Sequence, residues 1–239
     1  MKILFLADLH MNLRQLDWLE SQAGSYDLVI IGGDLLQLAD TRSKEEQISE
    51  IIPYLRRIAE QALLVVSSGN HDGNRLNAAE EEYADWIRCL PIDGLLVDGG
   101  CLDFKGYRFS CCAWWNGAES RGEMLKQLQS DKPKDDERWI WIHHSPPRGS
   151  RTAWTRKGNV GDPYLQKLIG RFKPSHVLCG HVHNAPFYAD GAWCEKIGKT
   201  WVFNPGMQIG GVPCHISLDL SDKKASYESL EGRESVVLD

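Results

Sequence analysis

Five short apolar runs each lead, across at most three residues, into a side chain able to ligate metal. Ile3-Leu4-Phe5-Leu6-Ala7 runs into Asp8 and His10, and Leu28-Val29-Ile30-Ile31 through Gly32-Gly33 into Asp34. Leu63-Leu64-Val65-Val66 runs through Ser67-Ser68-Gly69 into Asn70-His71-Asp72. Trp139-Ile140-Trp141-Ile142 meets His143-His144, and His176-Val177-Leu178-Cys179 passes Gly180 into His181-Val182-His183. Runs of this length, rich in β-branched residues, predict strands buried on both faces. In open sheets of that kind, ligands gather beyond the carboxyl ends of the strands. The pattern therefore aims Asp, His and Asn side chains at one crevice.

Length and composition bound the rest. A chain of 239 residues buries a large core and fits one domain spanning 1–239 at least as well as two small ones. Its net charge of −6 supplies no global basic field to recruit nucleic acid. The seven cysteines are odd in number, without metal spacing, and read as small buried side chains in a reducing compartment. Met1-Lys2 leads straight into the first strand, and no apolar stretch approaches the roughly 20 residues that span a bilayer. These features predict a cytoplasmic protein with no membrane partner.

Helical patterns alternate with the early strands. Ser43 and Glu46 form a capping-box signature ahead of the stripe Ile48, Ile51, Ile52, Leu55, Ile58. Pro53 inside that stripe predicts a kink or a delayed start. Asp162-Pro163 supplies a cap and a first-turn proline for a second helix. Segments 11–22, 77–90 and 119–130 also read as helical. From about residue 94, strands are expected at 95–97, 101–104, 107–113, 186–189, 193–197, 200–203 and 213–220, with an edge hairpin or tail over 221–239. Alternation first and hairpins later suggest an α/β (α+β) fold: a four-layer α-β-β-α sandwich of two mixed sheets flanked by helices.

Asp-x-His, Gly-Asp, Gly-Asn-His-Asp, His-x-Pro and Gly-His-x-His, in that order, resemble the signature of the calcineurin-like metallophosphoesterase superfamily. The resemblance runs from Asp8 to Asn204-Pro205-Gly206. It implies a hydrolase of phosphoric ester bonds with a dinuclear centre. Asp8, His10 and His183 would hold one ion, Asn70, His144 and His181 the other, and Asp34 would bridge them. His144 stands two residues before Pro146, the spacing of the family's ligand, which leaves His143 as a supporting or packed histidine. Independently of the family, seven nitrogen and oxygen donors without a thiolate suit two divalent ions of Mn, Fe, Zn, Co or Ni better than Ca or Mg. Two such ions less Asp8 and Asp34 leave a locally positive site, which favours an anionic phosphate ester despite the acidic chain.

The family implies a metal-bridged hydroxide attacking phosphorus, with His71 as general acid and Asp72 as a candidate orienting partner. Gly33-Asp34 is followed by Leu35-Leu36-Gln37, and the next motif ends in Asp72. Both depart from the phosphoprotein phosphatase branch, so a small phosphodiester is the expected substrate. Phosphomonoester hydrolysis, a nucleic-acid-processing nuclease and a non-catalytic metal-binding scaffold are the alternatives. Retention of every donor and of His71 argues against the scaffold. The acidic chain and its early end after residue 220 argue against the nuclease. Between His144 and Asp162 the loop carries Arg148, Arg151, Arg156, Lys157 and Trp154 with no acid. Arg148 and Trp154 are candidates for holding substrate, against the plainer reading of a solvated loop. Trp114-Trp115 are candidates for lining the site or for core packing. Substrate, metal identity and oligomeric state are not encoded legibly.

Overall fold

The computed structural model describes residues 1–134 and 138–239. Along the chain lie β1 (Lys2–Leu6), α1 (Leu13–Ala23), β2 (Leu28–Gly32), α2 (Lys44–Ala59), β3 (Leu63–Ser67) and α3 (Asp85–Arg88). Next come β4 (Leu95–Val97), β5 (Cys101–Phe104), β6 (Tyr107–Cys111), α4 (Ala118–Asp131), β7 (Arg138–Ile142) and α5 (Pro163–Phe172). The chain continues with β8 (His176–Leu178), β9 (Cys194–Ile197), β10 (Thr200–Phe203), β11 (His215–Asp219), β12 (Lys224–Ser229) and β13 (Gly232–Val237).

Two sheets result. One has the order β13-β12-β11-β1-β2-β3-β4, the other β9-β10-β8-β7-β6-β5. Strands β1 to β4 run parallel, as do β6, β7, β8 and β10, while β11 and the outer hairpins run antiparallel. Both sheets are therefore mixed.

Alternation along the strands builds the layers. Ile3, Phe5, Leu28, Ile30 and Val65 face inward and meet Phe109, Ile140, Ile142, Leu178 and Phe203 of the second sheet. Their neighbours Leu4, Leu6, Val29, Ile31, Leu64 and Val66 face outward onto Leu16 and Leu19 of α1 and Ile51, Leu55 and Ile58 of α2. On the far side Trp139, Trp141, Val177 and Val202 pack against α4 and α5 through Met124, Leu128, Leu165 and Leu168. Each such side chain contributes roughly 1.5–3 kcal/mol on burial. Helix, sheet, sheet and helix stack as the four layers.

Local signals operate where expected. Ser43 and Glu46 make both bonds of the capping box, and Asp162 Oδ1 accepts from the N–H groups of Tyr164 and Leu165. Helix α2 continues through Pro53 with its start undelayed. Two segments depart from expectation. Over 77–90 only Asp85–Arg88 is helical, because a small hairpin pairs Arg75–Leu76 with Glu82–Tyr83. Near 186–189 there is a 3-10 turn at Ala185–Phe187, where Pro186 cannot donate to a strand ladder. Among the described residues, no helix is long and apolar enough to cross a membrane.

Register carries this architecture to the site. Ile3 lies opposite Leu28 and Leu28 opposite Leu63, so β1, β2 and β3 end side by side. His176 lies opposite Ile140, which brings the end of β8 beside that of β7.

Candidate metal centre

The chain leaves these strand ends in an unusual backbone conformation. Asp8 (φ 57°), His10 (φ 43°), Met11 (φ 59°), Asp34 (φ 55°) and His181 (φ 69°) all occupy the left-handed region. For non-glycine residues such conformations cost of the order of 1–3 kcal/mol each and persist only where the surroundings impose them. Here a ladder of loop bonds imposes them. The N–H groups of Asp8, His10 and Met11 donate to the carbonyls of Gly33, Asp34 and Leu35 at 3.0, 3.0 and 2.8 Å. Two glycines permit the close approach. A Cβ on Gly33 (φ 98°) would stand 2.6 Å from His144 Nδ1, and one on Gly69 would collide with Asp34 Oδ1 and the Asp34 nitrogen.

Hydrogen bonds then fix which atom of each side chain faces the centre. Asp34 Oδ1 accepts from the His71 N–H at 2.9 Å, which leaves Oδ2 lying 3.1 Å from His144 Nε2 and 3.7 Å from His10 Nε2. Asp8 Oδ1 lies 3.2 Å from His183 Nε2 and 3.7 Å from His144 Nε2, and the His181 N–H steadies its carboxylate. His10 Nδ1 donates to the Leu36 carbonyl at 3.2 Å, and His144 Nδ1 to the Gly32 carbonyl at 2.7 Å. Both rings therefore present Nε2 inward, the arrangement in which an imidazole ligates a metal.

Two groups of donor atoms emerge, each within 4.8 Å of one another: Asp8, His10, Asp34 and His183; and Asp34, His144 and His181. Asn70 Oδ1, 2.7 Å from His181 Nδ1, adjoins the second group. Asp34 belongs to both. The expected donors are thus all brought together, and the two groups are candidate sites for two divalent ions.

The donors' chemistry fits cations. His144 Nε2 is fully buried and lacks a hydrogen-bond partner, so its approach to Asp34 is a contact of charges rather than a directed bond. Burial works against a charge on His144, yet Asp34 and Asp8 outweigh it and push the imidazole up to about 10. Burial would likewise raise Asp34, but His144 holds it well below the usual carboxylate range. Burial, with His144 beside it, pushes His181 down to about 4. Burial also lowers His10, whereas its bond to Asp8 raises His183. Such a cluster, two carboxylates among four imidazoles with nitrogen facing nitrogen (His10 Nε2 to His183 Nε2, 3.1 Å), is what a positive ion would relieve.

His71 and Asp72 part company. His71 Nδ1 accepts from the Leu38 N–H at 3.4 Å, so a neutral ring carries its proton on Nε2, 3.9 Å from Asp34 Oδ2. Asp72 is buried, and both its carboxylate oxygens accept from backbone N–H groups. Oδ2 accepts from the N–H groups of Asp34 and Gly69, and Oδ1 from that of Leu36. These three bonds tie the Asp34 loop to the Gly69 loop.

The remaining candidates sort by contact. His143 is buried, with no well-directed partner for either nitrogen, and packs with its ring centroid 4.2 Å from that of Trp115; it is a packed histidine, and burial pushes it down to about 4 against the opposing pull of Asp162 and the Cys112 and Ala113 backbones. Trp114 lies against His144 and His181, while Trp115 is core. Beside the centre, a cleft of about 230 Å³ is lined by Thr155, Val160, His181, Val182, His183, Asn184 and Tyr188. Neither Arg148 nor Trp154 lines it. Trp154 sits in a tight hairpin with Asn159, and Arg148 is exposed. Arg151 is structural, donating to the carbonyls of Ala189, Asp190 and Gly191. Arg156 lies 5.8 Å over the Tyr188 ring but is not among the residues that line the cleft. Tyr188 escapes sequence reasoning because its segment reads as a strand.

Comparison with known proteins agrees with this geometry. The family model for calcineurin-like phosphoesterases matches residues 1–185. The fold is similar to that of TT1561 of Thermus thermophilus, at TM-score 0.59 and 18% identity, over 99% of this chain and 98% of that one. It is also similar to the purple acid phosphatase PPD1 from yellow lupin (Lupinus luteus) seeds, at TM-score 0.60 and 16% identity, over 100% of this chain and 54% of that one. No curated protein matches the sequence. With its shared carboxylate and paired donor groups, the chain belongs to the calcineurin-like phosphoesterase family, whose members are metal-dependent hydrolases of phosphate esters.

Proposed function

We propose that the protein is a phosphodiesterase in which Asp8, His10, His183 and Asp34 hold one ion and Asp34, Asn70, His144 and His181 the other. The observation that carries this reading is the inward-facing Oδ2 of Asp34, common to both donor groups. When bound, the ions supply Lewis acidity and acidify water near neutral pH. The protein's own part is to place those donors on an imposed backbone and to deliver a proton. His71 suits the second role by position: its Nε2 lies 3.9 Å from Asp34 Oδ2, where an imidazolium, having given up the weak contact from the Leu38 N–H at 3.4 Å, would pass its Nε2 proton to a departing alkoxide and return to neutral imidazole. The adjoining cleft supports a diester over a monoester, because its lining carries no formally charged side chain apart from the two ligand imidazoles. A second ester substituent fits such a wall better than a free phosphate dianion does.

Turnover of bis(p-nitrophenyl) phosphate with manganese, exceeding that of p-nitrophenyl phosphate, is the expected result. A preference for the monoester would replace the diesterase reading with the phosphomonoesterase one. Substituting His71→Ala should leave metal content intact and slow esters with poor leaving groups by about 10²–10⁴-fold, the usual share of a general acid. p-Nitrophenyl esters, whose leaving group needs no proton, should be spared. An equal loss on both kinds of ester would show that His71 acts otherwise.

Metal uptake should also depend on pH. Since His144 is held protonated up to about 10 without metal, binding through Nε2 must expel that proton. The apparent affinity should therefore rise about tenfold per pH unit through the neutral range, and fall as pH drops. Calorimetry in two buffers of different ionisation enthalpy counts the protons released; a count of zero would show that His144 is not protonated in the metal-free protein.

A further inference from the structure

We infer that Trp114 is the specificity-determining residue of this centre, offering its indole to a planar substituent of the phosphodiester, and that His143 is its aromatic spacer. The inference rests on the phosphodiesterase reading and names the kind of ester it favours. Trp114 is half-buried, with its ring centroid 5.2 Å from that of His181 and 5.7 Å from that of His144. It is thus an aromatic side chain that touches two donor imidazoles while remaining partly exposed.

Its position is enforced from every side. Its backbone N–H donates to Ser68 Oγ at 2.9 Å, two residues before Asn70, and its indole N–H donates to Asn116 Oδ1 at 2.9 Å. Behind it lies the His143 ring, parallel within 8° at 6.3 Å, and behind that the Trp115 ring at 4.2 Å. Trp115 is pinned in turn by its N–H to Asp162 Oδ2 at 3.0 Å. Leaving both nitrogens of a buried imidazole without a partner is unfavourable. His143 has no well-directed partner for either nitrogen, and beyond the backbones of Cys112 and Ala113 and the charge of Asp162 what it meets is the two indole rings. A column of three rings ending at the ligand imidazoles gives that arrangement a purpose. It holds the indole rigid, so that stacking loses little side-chain freedom.

The test is calorimetric binding of diphenyl phosphate and dimethyl phosphate to the manganese-loaded protein. Wild type should bind the diphenyl ester more tightly. Trp114→Ala should weaken diphenyl phosphate about tenfold or more, the scale of aromatic stacking, and dimethyl phosphate less than about twofold. Trp114→Phe should restore part of the preference. His143→Phe, which keeps the ring and removes the nitrogens, should retain both metal content and preference. Equal weakening for both esters, or no preference in wild type, would overturn the role of Trp114. Metal loss in His143→Phe would overturn the spacer. Binding is read without turnover, so failure of the phosphodiesterase reading alone would show as preferential binding without hydrolysis.

Discussion

Asp34→Asn is expected to abolish hydrolysis, lowering turnover by at least about a thousandfold, more than removal of a single oxyanion donor usually does. The reason lies in how its two oxygens divide their work. Oδ1 is committed to the His71 N–H, and Oδ2 is the inward atom common to both donor groups. An amide retains the first contact only if its oxygen takes that place, and then its NH₂ faces His144 and His10. The variant should bind fewer than two ions per chain, by elemental analysis after reconstitution with manganese. Because the amide is isosteric, the fold should survive, as circular dichroism would verify. Full activity in Asp34→Asn would remove the shared carboxylate from the chemistry and with it the dinuclear proposal.

Asp72→Ala should cost at least about 3 kcal/mol of stability, since it orphans three buried N–H groups at roughly 1–3 kcal/mol each. Those groups belong to Asp34, Leu36 and Gly69, two of them in the strained turn that carries Asp34. Burial and the nearby Asp34 charge push the pKa of Asp72 up to about 7, with the bonds from Gly69 and Leu36 acting in the opposite direction. The midpoint of urea denaturation should fall with little change in slope. If Asp72 served instead to orient His71, the variant would keep its midpoint and lose only turnover of esters with poor leaving groups. The two measurements separate a brace from a catalytic partner.

Much of this centre is legible in the sequence because its physics is local. A buried parallel strand announces itself as an unbroken apolar run, and the residues just after it must sit at the carboxyl edge. Position relative to five such runs therefore places Asp8, His10, Asp34, Asn70, His144, His181 and His183, and the structure brings them together. The layers come likewise from alternation of β-α units and later hairpins. The features that escape depend on contacts between distant segments. Nothing around Asp72 indicates that its carboxylate spans to residues 34 and 36. Arg148 and Trp154 look suited to substrate because their loop is cationic, yet which loop residue meets the cleft depends on folding of 148–160 against Tyr188. The 77–90 segment has helical spacing, but the pairing of Arg75 with Tyr83 is a tertiary choice.

The left-handed turns at Asp8, His10, Asp34 and His181 have a consequence for how the protein acquires its cations. They are maintained by loop-to-loop bonds and by cores on both sides of the sheets, none of which requires an ion. The expected result is that a chelator strips the ions while circular dichroism shows the fold retained, unlike a small zinc domain, and that added manganese reloads the sites. Its donors, borderline imidazoles with two carboxylates, discriminate weakly among first-row divalent cations. Cellular supply would then govern which element occupies the two seats, and exchange of one for another would retune the reaction without any change in the polypeptide.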